Sequence, residues 1–319
     1  MKKILVTGST GFAGSFLVEY LIWQKKFEIS GTYLTERSIS NVSSAKNIVN
    51  FVQVDLTDSS KVSEVISKIK PDLIFHLAAF PSPADSFKNP SQTIYNNITA
   101  QINLLEAVKK NNLLQSKILI VSSAEVYGFI DPSDLPVDEE TCFKPTSPYA
   151  VSKLSQDFLG LQYHLAYNLN IVRVRPFNHI GPRQSPDFAA SSFAKKIAEI
   201  EKGVIKPVIH VGNLKAKRDF TDVRDMVRAY TLILEKGKVG DVYNIGSGKS
   251  YEISYILKEL LSHTDKKIRV EVDPKLFRPN DTPEFRCNNR KIGSVTGWKP
   301  EILIEKSLKD TLDYWRNII

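Results

Sequence analysis

The chain has 319 residues, 42% of them hydrophobic and 24% charged, a balance that suits a folded globular protein and excludes a disordered or fibrous one. Its 43 lysines and arginines exceed its 35 aspartates and glutamates by 8. That excess favours anionic ligands such as phosphates, yet no basic run is long enough to read as a nucleic-acid arm, so no nucleic-acid partner is expected. No apolar stretch approaches the roughly 20 residues a membrane span needs, and the opening apolar run stops at Gly8, too short for a signal-peptide core. Cys142 and Cys287 show no paired spacing, so a reducing, cytoplasmic setting is expected.

Residues 3–7 read as a short buried strand. It runs into Gly8-Ser9-Thr10-Gly11-Phe12-Ala13-Gly14 and then into a helical pattern carried by Phe16, Leu17, Tyr20 and Leu21. Strand, glycine-rich turn and helix in that order make a glycine motif informative. Gly8, Gly11 and Gly14 let the backbone approach a pyrophosphate, and the helix N-terminus favours its negative charge. The spacing here is G-x-x-G-x-x-G rather than the G-x-G-x-x-G of the commonest dinucleotide fold.

Strand-like runs recur at 27–33, 51–54, 73–76 and 118–121. Between the third and fourth strands, Val62, Val65, Ile66 and Ile69 form the stripe of an amphipathic helix, and another helix ends over 103–110. Alternating strands and helices with continuous apolar strands predict an α/β fold built on a doubly wound parallel sheet. Ligands then sit beyond the C-terminal strand ends. Asp55 follows the third strand, where it meets an adenine amino group or caps the next helix. Ala78 and Ala79 follow the fourth and are small enough for a flat cofactor to lie close. After the second strand the acidic acceptor for an NAD ribose is missing, and Arg37 is placed to meet a 2′-phosphate. That favours NADP(H), with Glu36 beside it leaving NAD(H) open.

Past the fifth strand comes Ser122-Ser123-Ala124-Glu125, and further on Ser147-Pro148-Tyr149-Ala150-Val151-Ser152-Lys153. Tyr149 and Lys153 are four apart, hence on one face of a helix. A lysine ammonium beside a phenol stabilises the phenolate, so Tyr149 is expected to titrate low and exchange a proton near neutral pH.

The glycine turn, Ser123, the Tyr149/Lys153 pair and Asn97 in Asn96-Asn97-Ile98 together resemble the extended short-chain dehydrogenase/reductase family, over nearly the whole chain. The resemblance implies a Rossmann-type sheet with a smaller, interleaved α/β substrate-binding domain. It implies Ser123 as the catalytic hydroxyl, Tyr149 as the acid/base, and Lys153 as its partner and a ligand of the nicotinamide ribose. Asn97 supports the active-site helix, and Phe12, Leu56, Leu77 and Pro176 join the glycines around the cofactor. Glu125 stands where dehydratases of the family carry a catalytic base.

The second half adds a strand over 171–175, a helix over 191–201 and further short elements, less regularly spaced. The resemblance assigns this half to a nucleotide-sugar, specifically a GDP-linked 4-keto-6-deoxy sugar. Asn178 is implied in substrate contact, Arg218 and Arg278 at the diphosphate, and Lys196 at the base or ribose. Arginine forks match phosphate oxygens in a bidentate way. A helix over 222–235 is predicted to end at Gly237 as its C′ residue. The expected division is 1–175 with roughly 216–246 for the cofactor, and 176–215 with roughly 247–319 for the sugar. A homodimer through helices over 93–110 and 149–167 is also implied.

Overall fold

The structure, a computed structural model, describes residues 1–277 and 282–319, with the side chain of Arg37 also left aside. The chain opens with β1 (Lys2–Thr7), α1 (Phe12–Trp23), β2 (Phe27–Tyr33), β3 (Asn50–Gln53), α2 (Ser59–Ile69), β4 (Leu73–His76), α3 (Pro83–Lys88), α4 (Pro90–Lys110) and β5 (Lys117–Val121). It continues through α5 (Pro148–Tyr167), β6 (Asn170–Pro176), β7 (Asn178–Ile180), α6 (Ala189–Glu201), β8 (Val208–Val211), β9 (Lys217–Asp222), α7 (Val223–Lys236) and β10 (Val242–Ile245). It closes with β11 (Ser250–Glu252), α8 (Ile253–Leu261), β12 (Arg269–Val272), β13 (Glu284–Phe285), α9 (Arg290–Thr296) and α10 (Ile304–Ile318).

Among the described residues, seven parallel strands form the large sheet in the order β10-β6-β5-β4-β1-β2-β3. The order reverses between β1 and β4, so a crevice opens beyond their C-terminal ends. Side-chain alternation along each strand feeds two cores. Ile4 and Val6 of β1 pack with α1 and α7, whereas Leu5 packs with α2 and α4 on the other face. Helix ends follow their local chemistry. Asp58 caps α2 by accepting from the Ser60 and Lys61 amides. Ser147 caps α5 with Pro148 in its first turn, and Asn168 ends that helix in the left-handed region.

The smaller part has its own core, in which α6, α8 and α10 bring together Ile197, Leu257, Leu308 and Trp315. Here β9 pairs with β7, β11 and β13, while β8 pairs with β12. The sequence-based division put β9 with the cofactor sheet; its hydrogen bonds go to the smaller one, while α7 and β10 return to the large sheet. Gly237 does follow α7 directly, but its backbone is extended (φ −64°, ψ 145°) rather than left-handed. A glycine is needed there because a Cβ would fall 2.6 Å from the Ile233 carbonyl oxygen.

Candidate active site

A cavity of about 850 Å³ opens at the C-terminal ends of β1 and β4 and extends to the smaller part. Its near wall is backbone. Gly8 has a positive φ of 67°, and a Cβ there would lie 2.9 Å from the Ala78 Cα. A Cβ on Gly14 would lie 2.1 Å from the Gly8 carbonyl oxygen. The turn therefore folds flat onto the β4 end only with glycines. Gly11 sits at the N-cap of α1 without a side-chain cap hydrogen bond, and no acidic residue occupies the first turn. With Gly11, Phe12, Ala13 and Gly14 lining the cavity, the leading amides and the positive end of the helix are turned to it. A helix terminus presented this way favours an anionic group such as a phosphate.

Asp55, Leu56, Leu77, Ala78, Ala79 and Pro176 line the same wall. Asp55 accepts from the amide and hydroxyl of Thr57, both at 2.8 Å, while the cap of α2 is Asp58. Arg37 falls in the 3-10 stretch Glu36–Ala45, its side chain outside the description. That stretch is tied to the glycine turn, since Thr10 donates to the Ser38 hydroxyl (2.7 Å) and Asn41 to the Thr10 carbonyl (2.9 Å).

Ser123, Glu125, Tyr149 and Lys153 all line the cavity. Ser123 ends the β5 loop and accepts from the Glu125 amide at 3.1 Å. Tyr149 and Lys153 lie one turn apart on α5. Asn97 does not line the cavity: fully buried, it accepts from the Phe80 amide (2.8 Å) and donates to the Ser152 hydroxyl (2.9 Å). Ser152 in turn donates to the Tyr149 carbonyl at 2.7 Å. Asn97 thus pins the first turn of α5 to the floor beyond β4, which places the tyrosine and lysine.

The expected acidic phenol is not what the structure shows. Burial pushes Tyr149 up to about 12, because a phenolate there would lose its hydration; the Ser123 hydrogen bond pulls against this and the Glu125 charge adds to it. Lys153 is only 4% exposed, and burial pushes it down to about 7, with Asp157 acting the other way. Its ammonium donates to the Val121 carbonyl (2.5 Å) and to the Gln156 amide oxygen (2.7 Å). Helical spacing places the two residues on one face of α5 but does not reveal where the ammonium sends its N–H groups.

The far wall is made of side chains. Asn178 from β7, Lys196 from α6 and Arg218 from β9 all line the cavity. Lys195 instead pairs with Glu199 (3.3 Å), so of the two adjacent lysines it is Lys196 that faces the site. Arg218 donates to the Lys217 and Thr282 carbonyls at 2.8 and 2.7 Å. Its neighbour Asp219 accepts from the amides of Ser247, Gly248 and Cys287, bracing the loop beneath. Arg278 lies outside the described residues.

Two cavity residues, Arg183 and Tyr230, escaped the sequence reading, and His179, next to Asn178, lines the cavity with them. Arg183 stacks on Phe16 (4.6 Å) and pairs with Glu19 (2.7 Å), bridging the smaller part to α1. His179 stacks on Phe12 with ring centroids 5.5 Å apart. Tyr230 of α7, buried in the wall, reads in sequence as part of an amphipathic stripe. The Gly181-Pro182 step before Arg183 was the available signal, a sharp turn leading out of the sheet.

The sequence profile of the family described as GDP-mannose 4,6 dehydratase matches residues 5–311. The GDP-6-deoxy-D-mannose reductase of Pseudomonas aeruginosa is 31% identical, over 99% of this chain and 98% of that protein. GDP-mannose 4,6 dehydratase 1 of Arabidopsis thaliana is also 31% identical, over 98% of this chain and 89% of that protein. Among solved structures, RMD from Pseudomonas aeruginosa, complexed with NADPH, superposes with a TM-score of 0.87 at 30% identity, covering 100% of both chains. The chain belongs to the GDP-mannose 4,6 dehydratase family.

Proposed function

Within that family, we propose that this protein reduces the C4 ketone of GDP-4-keto-6-deoxy-D-mannose to GDP-D-rhamnose, the activity named for its full-length bacterial relative. The observation that carries the reading is the lining of one cavity by Ser123, Tyr149 and Lys153, with a glycine turn on one wall and Asn178, Lys196 and Arg218 on the other. NADPH bound across the near wall supplies the hydride that C4 receives; the NADPH complex of RMD supports that cofactor over NADH. Tyr149 donates its proton to the oxygen at C4 as the carbonyl becomes an alcohol. A phenol held near 12 by burial keeps that proton at neutral pH, which suits an acid. Ser123 hydrogen-bonds the same oxygen, and Lys153 meets the ribose. Arg218 takes the diphosphate, with Lys196 at the base or ribose and Asn178 at the sugar.

We read the large sheet with α7 and β10 as the cofactor domain and the remainder as the sugar domain. The reading extends to a homodimer. Val151, Phe158 and Leu165, seven residues apart on α5, are exposed together with Tyr95 of α4. Two unpaired cysteines suit a cytoplasmic setting, and no helix among the described residues is long and apolar enough to cross a membrane.

A second reading rests on Glu125. Its carboxylate lines the cavity two residues from Ser123, where a base for removing the C5 proton of GDP-mannose is required. The two are separated by supplying GDP-mannose, or its 4-keto-6-deoxy derivative, with and without NADPH. The reductase consumes NADPH with the keto sugar alone and forms the 6-deoxy alcohol. Loss of water from GDP-mannose with no net change in cofactor would replace it with the dehydratase.

A further inference from the structure

Lys153 is held by more than its place on α5. Asn97 and Gln101 are four apart on α4, and Ser152 and Gln156 four apart on α5, so the packed helices present two rungs. The first is Asn97 to Ser152. In the second, Gln101 donates its side-chain amide to the Gln156 backbone carbonyl at 2.7 Å, and Gln156 accepts from the Lys153 ammonium at 2.7 Å through its own side-chain oxygen. Both glutamines are fully buried. A lysine has only donors, so the Gln156 amide is obliged to turn its oxygen inward. This leaves the Gln156 nitrogen and the Gln101 side-chain oxygen buried without partners. An arrangement that leaves the Gln156 nitrogen buried and unpaired to present one oxygen to Lys153 is costly unless that contact matters.

Of the three ammonium N–H groups, one goes to the Val121 carbonyl and one to Gln156. One remains for the cavity that Lys153 lines. The charged groups around it do not substitute for this acceptor. His76 of β4 is held neutral by burial, at about 3. Asp157, in the next turn of α5, has its two oxygens taken by Arg173 and Arg175 of β6. Glu125 beyond β5 acts on the Tyr149 phenol, which in turn acts on Tyr230 of α7.

We propose that Gln156 is a positioning residue for Lys153, its side-chain oxygen, braced through the backbone by Gln101, fixing the ammonium so that its third N–H is directed into the site. The inference deepens the proposed reduction and rests on it only for its kinetic readout. Because Lys153 is buried and titrates low, loss of a neutral acceptor lowers it further, so the charged form disappears at a lower pH.

The test compares wild type, Gln156→Leu and Gln156→Glu across pH 5.5 to 9.5, a range of roughly two units either side of neutrality. It follows kcat/KM for the keto sugar, the NADPH Kd by fluorescence, and urea unfolding, each unfolding series repeated on a Lys153→Met background. Gln156→Leu is expected to move the alkaline limb of kcat/KM down by about one pH unit and to weaken NADPH about tenfold at neutral pH. Gln156→Glu, which puts a charged acceptor in place of a neutral one, is expected to carry the limb above its wild-type position. The unfolding difference between wild type and Gln156→Leu should be larger at the acidic end, where Lys153 is charged in both states, and lose that pH dependence with Lys153→Met. A loss equal at every pH, unchanged on the Lys153→Met background, overturns the proposal in favour of a packing role. Should Gln156→Leu fail to fold, the limb of Gln156→Glu decides: an upward shift supports it and an unshifted limb overturns it. A wild type that binds NADPH but does not reduce the sugar defeats the reductase reading alone, since binding and unfolding still read Gln156.

Discussion

The two walls of the cavity are built by opposite means. The near wall is backbone: glycines pressed onto one another and onto the β4 end, with a hydrogen-bond-ready helix terminus behind them. The far wall is long side chains from β7, α6 and β9, three elements with no common sheet register to the near wall. A backbone surface recognises what all dinucleotides share, and a side-chain surface recognises what distinguishes one sugar nucleotide from another. The difference teaches where each kind of change is felt. Alterations of the near wall strike the cofactor and the fold together, whereas alterations of the far wall strike the substrate alone.

The largest effect is expected where the walls meet. Tyr149→Phe removes the proposed proton donor but keeps the ring, so kcat should fall by about 10²- to 10⁴-fold with the NADPH Kd little changed. Stopped turnover with intact binding separates the chemistry from both walls. Retained turnover would rule out this phenol as the acid.

The next effect breaks the near wall. Gly14→Ala puts a methyl 2.1 Å from the Gly8 carbonyl oxygen, and neither atom belongs to a flexible side chain. The turn must open, so NADPH affinity should drop by about a hundredfold and stability by about 1–3 kcal/mol, the usual cost of overpacking. Fluorescence titration and thermal unfolding measure the two together. A variant that binds NADPH normally would show that the cradle is wider than its geometry implies.

These first two predictions rest on features that were open to inspection in the sequence, and for a physical reason. Glycine spacing, the four-residue interval of Tyr149 and Lys153, and apolar runs such as Leu73–His76 encode local geometry, which chain periodicity fixes. What remained hidden depends on contacts between distant segments. Desolvation of the half-buried Tyr149 phenol, which reverses its expected shift, depends on its place in the folded cavity. The partner of β9 is chosen by the smaller core, not by its own residues, and Lys217-Arg218-Asp219-Phe220 has no feature naming β11 or β13 as its neighbours. Gln156 reads as an ordinary helix former until Lys153 and Gln101 are seen on either side of it.

The smallest of the three effects should fall on the far wall and discriminate most finely. Arg218→Ala removes a guanidinium whose sequence neighbour, Asp219, continues to brace the 246–248 loop through its own amide contacts. The substitution also removes the bonds to the Lys217 and Thr282 carbonyls, so the expected local cost is that of exposed or half-buried hydrogen bonds, about 1 kcal/mol, with the cofactor wall untouched. A charge-assisted contact to phosphate is worth about 1.5–3 kcal/mol, so KM for the sugar nucleotide should rise by about ten- to a hundredfold. Because the diphosphate is remote from C4 and carries the same charge before and after hydride transfer, the lost contact is one that ground and transition states share, and kcat should stay within about twofold. Steady-state kinetics with NADPH saturating reads this split directly. A fall in kcat as large as the rise in KM would mean that Arg218 orients the ketone, making the far wall part of the chemistry rather than only of recognition.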